Sequence, residues 1–124
     1  MEVFKMSLLF KKKYKVRHKI LEALKKRQDL IYELIPNEKQ FHPIDISLTL
    51  KEIVKETGYS ENDIKMQIEI LTDKKEITII TEDSEKYFCI ETLGRIKYCD
   101  ESYLEERIKF LMERIKYFIS IFKK

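Results

Sequence analysis

The segment from residue 49 to residue 90 reads TLKEIVKETGYSENDIKMQIEILTDKKEITIITEDSEKYFCI, and it decides the fold. Its first four residues, Thr49 to Glu52, have the S/T-x-x-E pattern of a capping box, in which the hydroxyl and the carboxylate bind free amides at a helix start. Gly58 then ends the helix, because glycine readily adopts the left-handed conformation found at helix C-termini. The sequence therefore predicts a short helix that ends in a tight glycine turn.

A second helix is predicted directly after this turn. Ser60 can cap it, because a serine hydroxyl accepts a hydrogen bond from an amide in the first turn. Ile64, Ile68 and Leu71 recur at spacings of four and three, which gives the helix one buried face. The positions that this face leaves exposed are Glu61, Asn62, Lys65, Met66, Glu69 and Asp73.

The rest of the segment predicts a β-hairpin. Residues 77–81 form a β-branched run, residues 82–85 are polar, and residues 86–90 form a second apolar run. Two such runs around a short polar turn are typical of a hairpin. Cys89 lies in the second run and is predicted to be a small core residue.

Helices are predicted on both sides of this segment. Upstream, apolar residues recur with a helical period from Val16 to Ile35, which predicts a first helix of about twenty residues. A connection follows, with a short extended piece at residues 44–48. Downstream, residues 101–122 place apolar residues at alternating spacings of four and three, a heptad pattern. The seam of this pattern consists of Leu104, Ile108, Leu111, Ile115, Phe118 and Phe122.

Composition excludes several classes of function. The only two glycines, Gly58 and Gly94, are too far apart for a P-loop or a dinucleotide-binding turn, which need clustered glycines. No nucleophile lies in a recognisable catalytic motif. The candidate soft metal ligands lack the short spacings of a zinc site; they are His18, His42, Cys89 and Cys99. We therefore expect no enzyme, no cofactor and no metal, and two cysteines without a secretion signal favour the cytoplasm.

This order of elements resembles the winged helix-turn-helix family of DNA-binding domains. Residues 49–58 correspond to the first helix of the motif, residues 58–60 to its turn, residues 60–75 to the recognition helix and residues 77–90 to the wing. The stretch 92–95 is similar to the step by which many such domains re-enter a helix. The resemblance implies a mainly α fold with a small β-hairpin (α+β), a winged helix-turn-helix with an added long C-terminal helix.

The resemblance covers residues 14–98 and implies that the third helix enters the major groove of duplex DNA. The recognition helix and wing would then contact DNA through Glu61, Asn62, Lys65, Met66, Glu69 and Lys86. This surface departs from the family's usual pattern because it is acidic, and DNA affinity comes largely from cations. A solvated face with intrahelical ion pairs is an equal alternative. A second functional hypothesis is an interaction module whose acidic third helix and wing bind a basic protein partner.

Positive charge is concentrated near the N-terminus, and a basic segment is assigned to residues 1–13. Residues 1–27 carry ten basic and two acidic side chains, whereas residues 28–100 carry nine and sixteen. Basic side chains beside the motif could grip the phosphate backbone; they are Lys11, Lys12, Lys13, Lys15, Arg17 and Lys19. Contact with an anionic lipid surface and a solvated N-terminus are the alternatives.

The C-terminal helix, residues 101–124, is predicted to mediate homodimerisation. Its apolar stripe must be buried, and a domain of this size offers limited surface of its own. Packing of the stripe on the first helix of the same chain is the alternative. The apolar residues 117–122 are too few to cross a bilayer, so no transmembrane segment is expected. The sequence thus predicts a small cytoplasmic regulator of transcription that binds duplex DNA as a homodimer.

Overall fold

The computed structural model describes residues 2–35, 42–100 and 102–122, except for the side chains of residues 2–11, 102, 104–107 and 122. Within these ranges the chain forms five α-helices, one 3₁₀ turn and a three-stranded antiparallel sheet. The helices are α1 (Glu2–Leu34), α2 (Leu50–Thr57), α3 (Glu61–Asp73), α4 (Thr92–Cys99) and α5 (Ser102–Phe122). The strands are β1 (Leu48–Thr49), β2 (Ile77–Glu82) and β3 (Glu85–Ile90). This architecture confirms the predicted mainly α fold with a small hairpin.

The helix-turn-helix forms through the predicted local signals. The Thr49 hydroxyl accepts a hydrogen bond from the Glu52 amide at 3.3 Å, and the Glu52 carboxylate accepts one from the Thr49 amide at 3.0 Å. Gly58 ends α2 with a φ of +77°, a conformation that favours glycine. The Ser60 hydroxyl then caps α3 by accepting from the Asp63 amide at 3.2 Å. Hydroxyl caps therefore set the starts of α2 and α3, and one glycine sets the end of α2.

The predicted hairpin is confirmed, and its turn is tight. Strand β3 lies between β1 and β2, and Ile77 pairs with Ile90 at the open end of the hairpin. Asp83 and Ser84 form the turn with positive φ values of 51° and 66°. Two consecutive positive φ values suit a two-residue loop, because they match the right-handed twist of the flanking strands.

Two segments differ from the expectation. Helix α1 begins at Glu2 instead of Val16, so it runs through the predicted boundary after residue 13. The lysines and leucines of this stretch are good helix formers, and the stretch contains no glycine or proline to stop the helix. The expected extended piece at residues 44–48 is mostly wrong, because Pro43–Ile46 forms a 3₁₀ turn capped by His42.

Helix α1 is the centre of the core. Ile20, Leu21 and Leu24 are fully buried between the helix-turn-helix and the sheet. The inward face of α3 contributes the predicted apolar residues, all of them buried: Ile64, Ile68 and Leu71. The contacts of α1 with α2, α3, α4 and β3 hold the helix-turn-helix, the hairpin and the following helix in one unit.

The two cysteines lie in opposite environments. Cys89 is buried, as predicted, and burial raises the pKa of its thiol, whereas Cys99 is exposed. Because only the thiolate reacts with a disulfide reagent, we expect one fast thiol in the native protein and a second after unfolding. Titration with Ellman's reagent measures this, and Cys99→Ser removes the fast phase. Two fast thiols in the native protein would contradict the burial of Cys89.

Candidate nucleic-acid interface

The outer face of α3 presents five of the six residues that the sequence assigned to the recognition helix and wing; the sixth, Lys86, lies on β3. Glu61, Asn62, Lys65, Met66 and Glu69 are all exposed. The Lys65 ammonium lies 3.2 Å from a carboxylate oxygen of Glu61, an i,i+4 ion pair with both side chains 60% exposed. Pairs this exposed contribute little to stability, so Lys65 can leave Glu61 for another anion.

A cleft of about 510 Å³ separates α3 from the wing. Its apolar lining comes from Leu50, Ile68, Ile79 and Phe88, and its charged lining includes Lys51 and Glu85. The structure brings four predicted residues together around this cleft, and they are Glu61, Lys65, Glu69 and Lys86. Asn62 and Met66 are exposed on α3 but do not line it.

The tip of the wing is acidic. Glu82 and Glu85 occupy directly opposed positions across the hairpin, and Asp83 lies in the turn between them. Lys86 is the neighbouring cation, paired in register with Thr81. Carboxylates grouped in this way repel phosphate, so electrostatic affinity for a nucleic acid must come from another part of the molecule.

The basic segment lies beside the start of α3. The Lys12 ammonium is 2.9 Å from a carboxylate oxygen of Asp63, in the first turn of α3. The hydrogen bond from Lys12, together with that from Ser60, holds the pKa of the Asp63 carboxyl below its ordinary value. Lys13 lies over the Tyr14 ring. This part of α1 therefore places the Lys12 ammonium next to the helix that the sequence assigned to the major groove.

The remaining predicted phosphate contacts fall into different surroundings. Lys15 is exposed, and the Lys19 ammonium lies 3.4 Å from the Glu22 carboxylate. The side chain of Lys11 lies outside the described residues. Arg17 is buried, and its Nε donates a 2.7 Å hydrogen bond to Gln67. The prediction that Arg17 contacts phosphate is therefore wrong, because its guanidinium is enclosed by the core.

Sequence reasoning missed Lys51, which lines the cleft from the first turn of α2. A sequence signal was available, since Lys51 is a cation only two positions after the helix cap Thr49. The contact between Arg17 and Gln67 had no comparable signal. The two residues are 50 positions apart, and no local pattern links them.

The described side chains of the heptad seam of α5 are exposed, except for one that is half-buried. Ile108, Ile115 and Phe118 are 53%, 52% and 47% exposed, while Leu111 is half-buried. The side chains of Leu104 and Phe122 lie outside the described residues. Tyr103, by contrast, is buried and stacks on Tyr14 of α1.

The candidate metal ligands are dispersed. His18 stacks on Tyr98, and His42 caps the 3₁₀ turn. In the part of the chain that the structure describes, no three His, Cys, Asp or Glu side chains are grouped so that they could hold a metal ion. No helix among the described residues is both long enough and apolar enough to span a membrane.

Neither a protein-family model nor a curated protein matches the chain. Among solved structures, the chain is similar to BpsR of Bordetella bronchiseptica, a protein whose DNA binding is regulated by 6-hydroxynicotinic acid. The superposition covers 98% of this chain and 87% of BpsR at 12% identity, with a TM-score of 0.56. The adhesin competence repressor AdcR of Streptococcus pyogenes superposes over 80% of this chain and 93% of its own, at 12% identity and a TM-score of 0.42.

At this low identity, similarity over nearly the whole chain is evidence of a shared fold. The chain contributes its own evidence in the capped α2, the Gly58 turn, the inward face of α3 and the β2–β3 hairpin. The chain is therefore a winged helix-turn-helix protein in fold, with a long C-terminal helix added after the wing.

Proposed function

We propose that this protein is a small cytoplasmic transcription regulator that binds duplex DNA as a homodimer. In this proposal α3 enters the major groove, and cations near the start of α1 contact the phosphate backbone. The observation that carries the proposal is the ion pair between Lys12 and Asp63, which joins the basic segment to the first turn of α3. The structural similarity to BpsR, whose DNA binding is regulated, supports the same class of function.

Electrostatics explain how an acidic recognition surface could still bind DNA. Lys12 is 54% exposed even in its ion pair with Asp63, so it can exchange that carboxylate for a phosphate at little cost. Phosphate contacts supply affinity and orientation, while base edges supply sequence selectivity. On α3, Asn62 suits adenine and Lys65 suits guanine. The basic part of α1 would thus supply attraction, and α3 would supply selectivity.

The two faces of α5 support the homodimer. The buried Tyr103 marks the face that packs on α1. At about 100° per residue, the seam positions Ile108 and Ile115 lie on a different side of the helix. Their neighbours Met112 and Ile119 are also about half exposed, which widens the apolar stripe. A stripe of this kind is characteristic of helix pairing, and a second copy of α5 offers a matching surface.

The decisive test is a mobility-shift titration of mixed-sequence duplex DNA at two salt concentrations. We expect binding at low salt that falls steeply as salt rises, because phosphate contacts release counterions. Absence of binding at low salt would contradict the proposal and favour a basic protein partner for α3 and the wing.

The phosphate contacts are tested by Lys12→Glu combined with Lys13→Glu. We expect binding to weaken at least about hundredfold at low salt. The slope of log K against the logarithm of the salt concentration should become less negative by about 1.8, because two cationic contacts are lost. Lys26→Glu combined with Lys55→Glu is the matched control, since it makes the same change in net charge at other exposed positions of α1 and α2. Equal weakening by both pairs would show that total charge, and not the position of Lys12 and Lys13, governs binding.

A further inference from the structure

Arg17 occupies an unusual position for a cation. Its guanidinium carbon lies 5.3 Å from the ring centres of both Tyr14 and Tyr103. Its Nε donates to the side-chain oxygen of Gln67, which is itself buried on the inner side of α3. A buried charge is stable only where fixed partners replace water, so these three side chains must keep their relative positions.

Tyr103 connects the same cluster to a second point near α3. Its side chain is 1% exposed, and its hydroxyl donates a 2.6 Å hydrogen bond to a carboxylate oxygen of Glu76. Glu76 lies between α3 and β2, where its amide donates to the carbonyl of Leu71 and its carbonyl accepts from the amide of Glu91. The backbone of Glu76 is therefore fixed, and its carboxylate extends to the first turn of α5.

Together these contacts attach α3 to the helices behind it at two places. Gln67 ties the middle of α3 to Arg17 of α1, and Glu76 ties its C-terminal end to Tyr103 of α5. Arg17 and Tyr103 are also in contact with each other. A shift of the first turn of α5 would therefore move Tyr103, which is the partner of Glu76 and a neighbour of Arg17.

We propose that Arg17 and Tyr103 are positioning residues that couple the placement of α5 to the orientation of α3. Neither side chain reaches the outer face of α3, so their effect on DNA binding is indirect. This part of the inference rests on the proposed function, whereas the physical coupling between α5 and α3 can be measured without DNA. If α5 pairs with a second copy, the same contacts fix how the two recognition helices are held relative to each other.

Tyr103→Phe is the most conservative test, because it removes one hydroxyl and leaves the ring between its neighbours. It also removes the hydrogen bond that Oε2 of Glu76 accepts from the Tyr103 hydroxyl. The other carboxylate oxygen, Oε1, is already buried without a hydrogen-bond partner among the described atoms. We expect amide exchange in residues 61–73 to become about tenfold faster, because an unpaired buried acceptor destabilises its surroundings. We expect DNA affinity to fall by a similar factor, with an unchanged salt dependence.

Two further variants separate positioning from general loss of stability. Glu76→Gln keeps an oxygen acceptor for Tyr103 and is expected to retain slow exchange in α3. Ile31→Val is a control for general loss of stability, because it shortens a side chain in the separate cluster with Ile46 and Cys89. We expect it not to change the rate of amide exchange in α3 relative to the rest of the core. If Tyr103→Phe does not fold, Gln67→Met replaces it, since it removes the acceptor for Arg17 at the other attachment.

The outcomes distinguish this inference from the proposed function. Unchanged exchange in residues 61–73 overturns the coupling, whatever the DNA result. Faster exchange with unchanged affinity, in a protein that binds DNA, overturns the positioning role. If the unmodified protein binds no duplex at low salt, the proposed function fails, and the exchange measurement alone decides whether α5 and α3 are coupled.

Discussion

Gly94→Ala is expected to destabilise the protein by about 3 kcal/mol or more, a large effect for one added methyl group. A Cβ at Gly94 would overlap the carbonyl oxygen of Glu76 and lie 2.9 Å from Cγ1 of Ile90. Neither neighbour can move easily. The Glu76 carbonyl accepts a hydrogen bond from Glu91, and Ile90 is buried at the end of β3. Urea unfolding followed by circular dichroism measures the loss.

Gly58→Ala is the matched control, because it adds the same methyl group at the other glycine. Nothing lies within 4 Å of a Cβ there, but φ is +77°. Only the left-handed backbone is then penalised, which costs about 1 kcal/mol. A Gly94→Ala protein as stable as Gly58→Ala would contradict the close approach of α4 to Glu76.

The combined variant Leu111→Glu and Ile115→Glu is expected to convert a homodimer into a monomer. Both residues belong to the heptad seam, and two carboxylates at its centre would face their own copies across a symmetric interface. We expect dimer affinity to weaken at least about hundredfold. Helix content should be retained, because Ile115 is already half exposed in the single chain. Light scattering after size exclusion measures the mass, and circular dichroism measures the helix content.

Lys109→Glu combined with Lys116→Glu provides the control for this variant. Both lysines are exposed on α5 away from the seam, so the helix gains the same number of carboxylates outside the proposed interface. The control is expected to remain dimeric. A monomeric unmodified protein, or a seam variant that remains dimeric, would refute the seam as the interface.

The elements between residues 49 and 90 could be predicted because their signals are local. A hydroxyl cap at Thr49, a left-handed Gly58 and a polar two-residue turn each act within a few positions of the chain. The 3₁₀ turn at Pro43–Ile46 also had a local signal, since His42 and Asp45 form a capping box, and that signal was overlooked.

The candidate site was less predictable, because its residues meet through contacts that are distant in sequence. The exposed row of α3 followed from the spacing of Ile64, Ile68 and Leu71. The burial of Arg17 did not, since it depends on Tyr103 and Gln67, which periodicity places on separate helices. The basic cluster of this sequence therefore contains cations that reach solvent, such as Lys12 and Lys15, together with Arg17, which lies in the interior.

The division of α3 into two faces has a consequence for redesign. Its inner face, which includes Ile64 and Gln67, is committed to the core, whereas Asn62, Lys65 and Met66 on the outer face support no part of it. Substitutions confined to these three positions leave the scaffold intact. If α3 enters the major groove as proposed, a library randomised at these three positions would keep the fold while its members differ in target sequence.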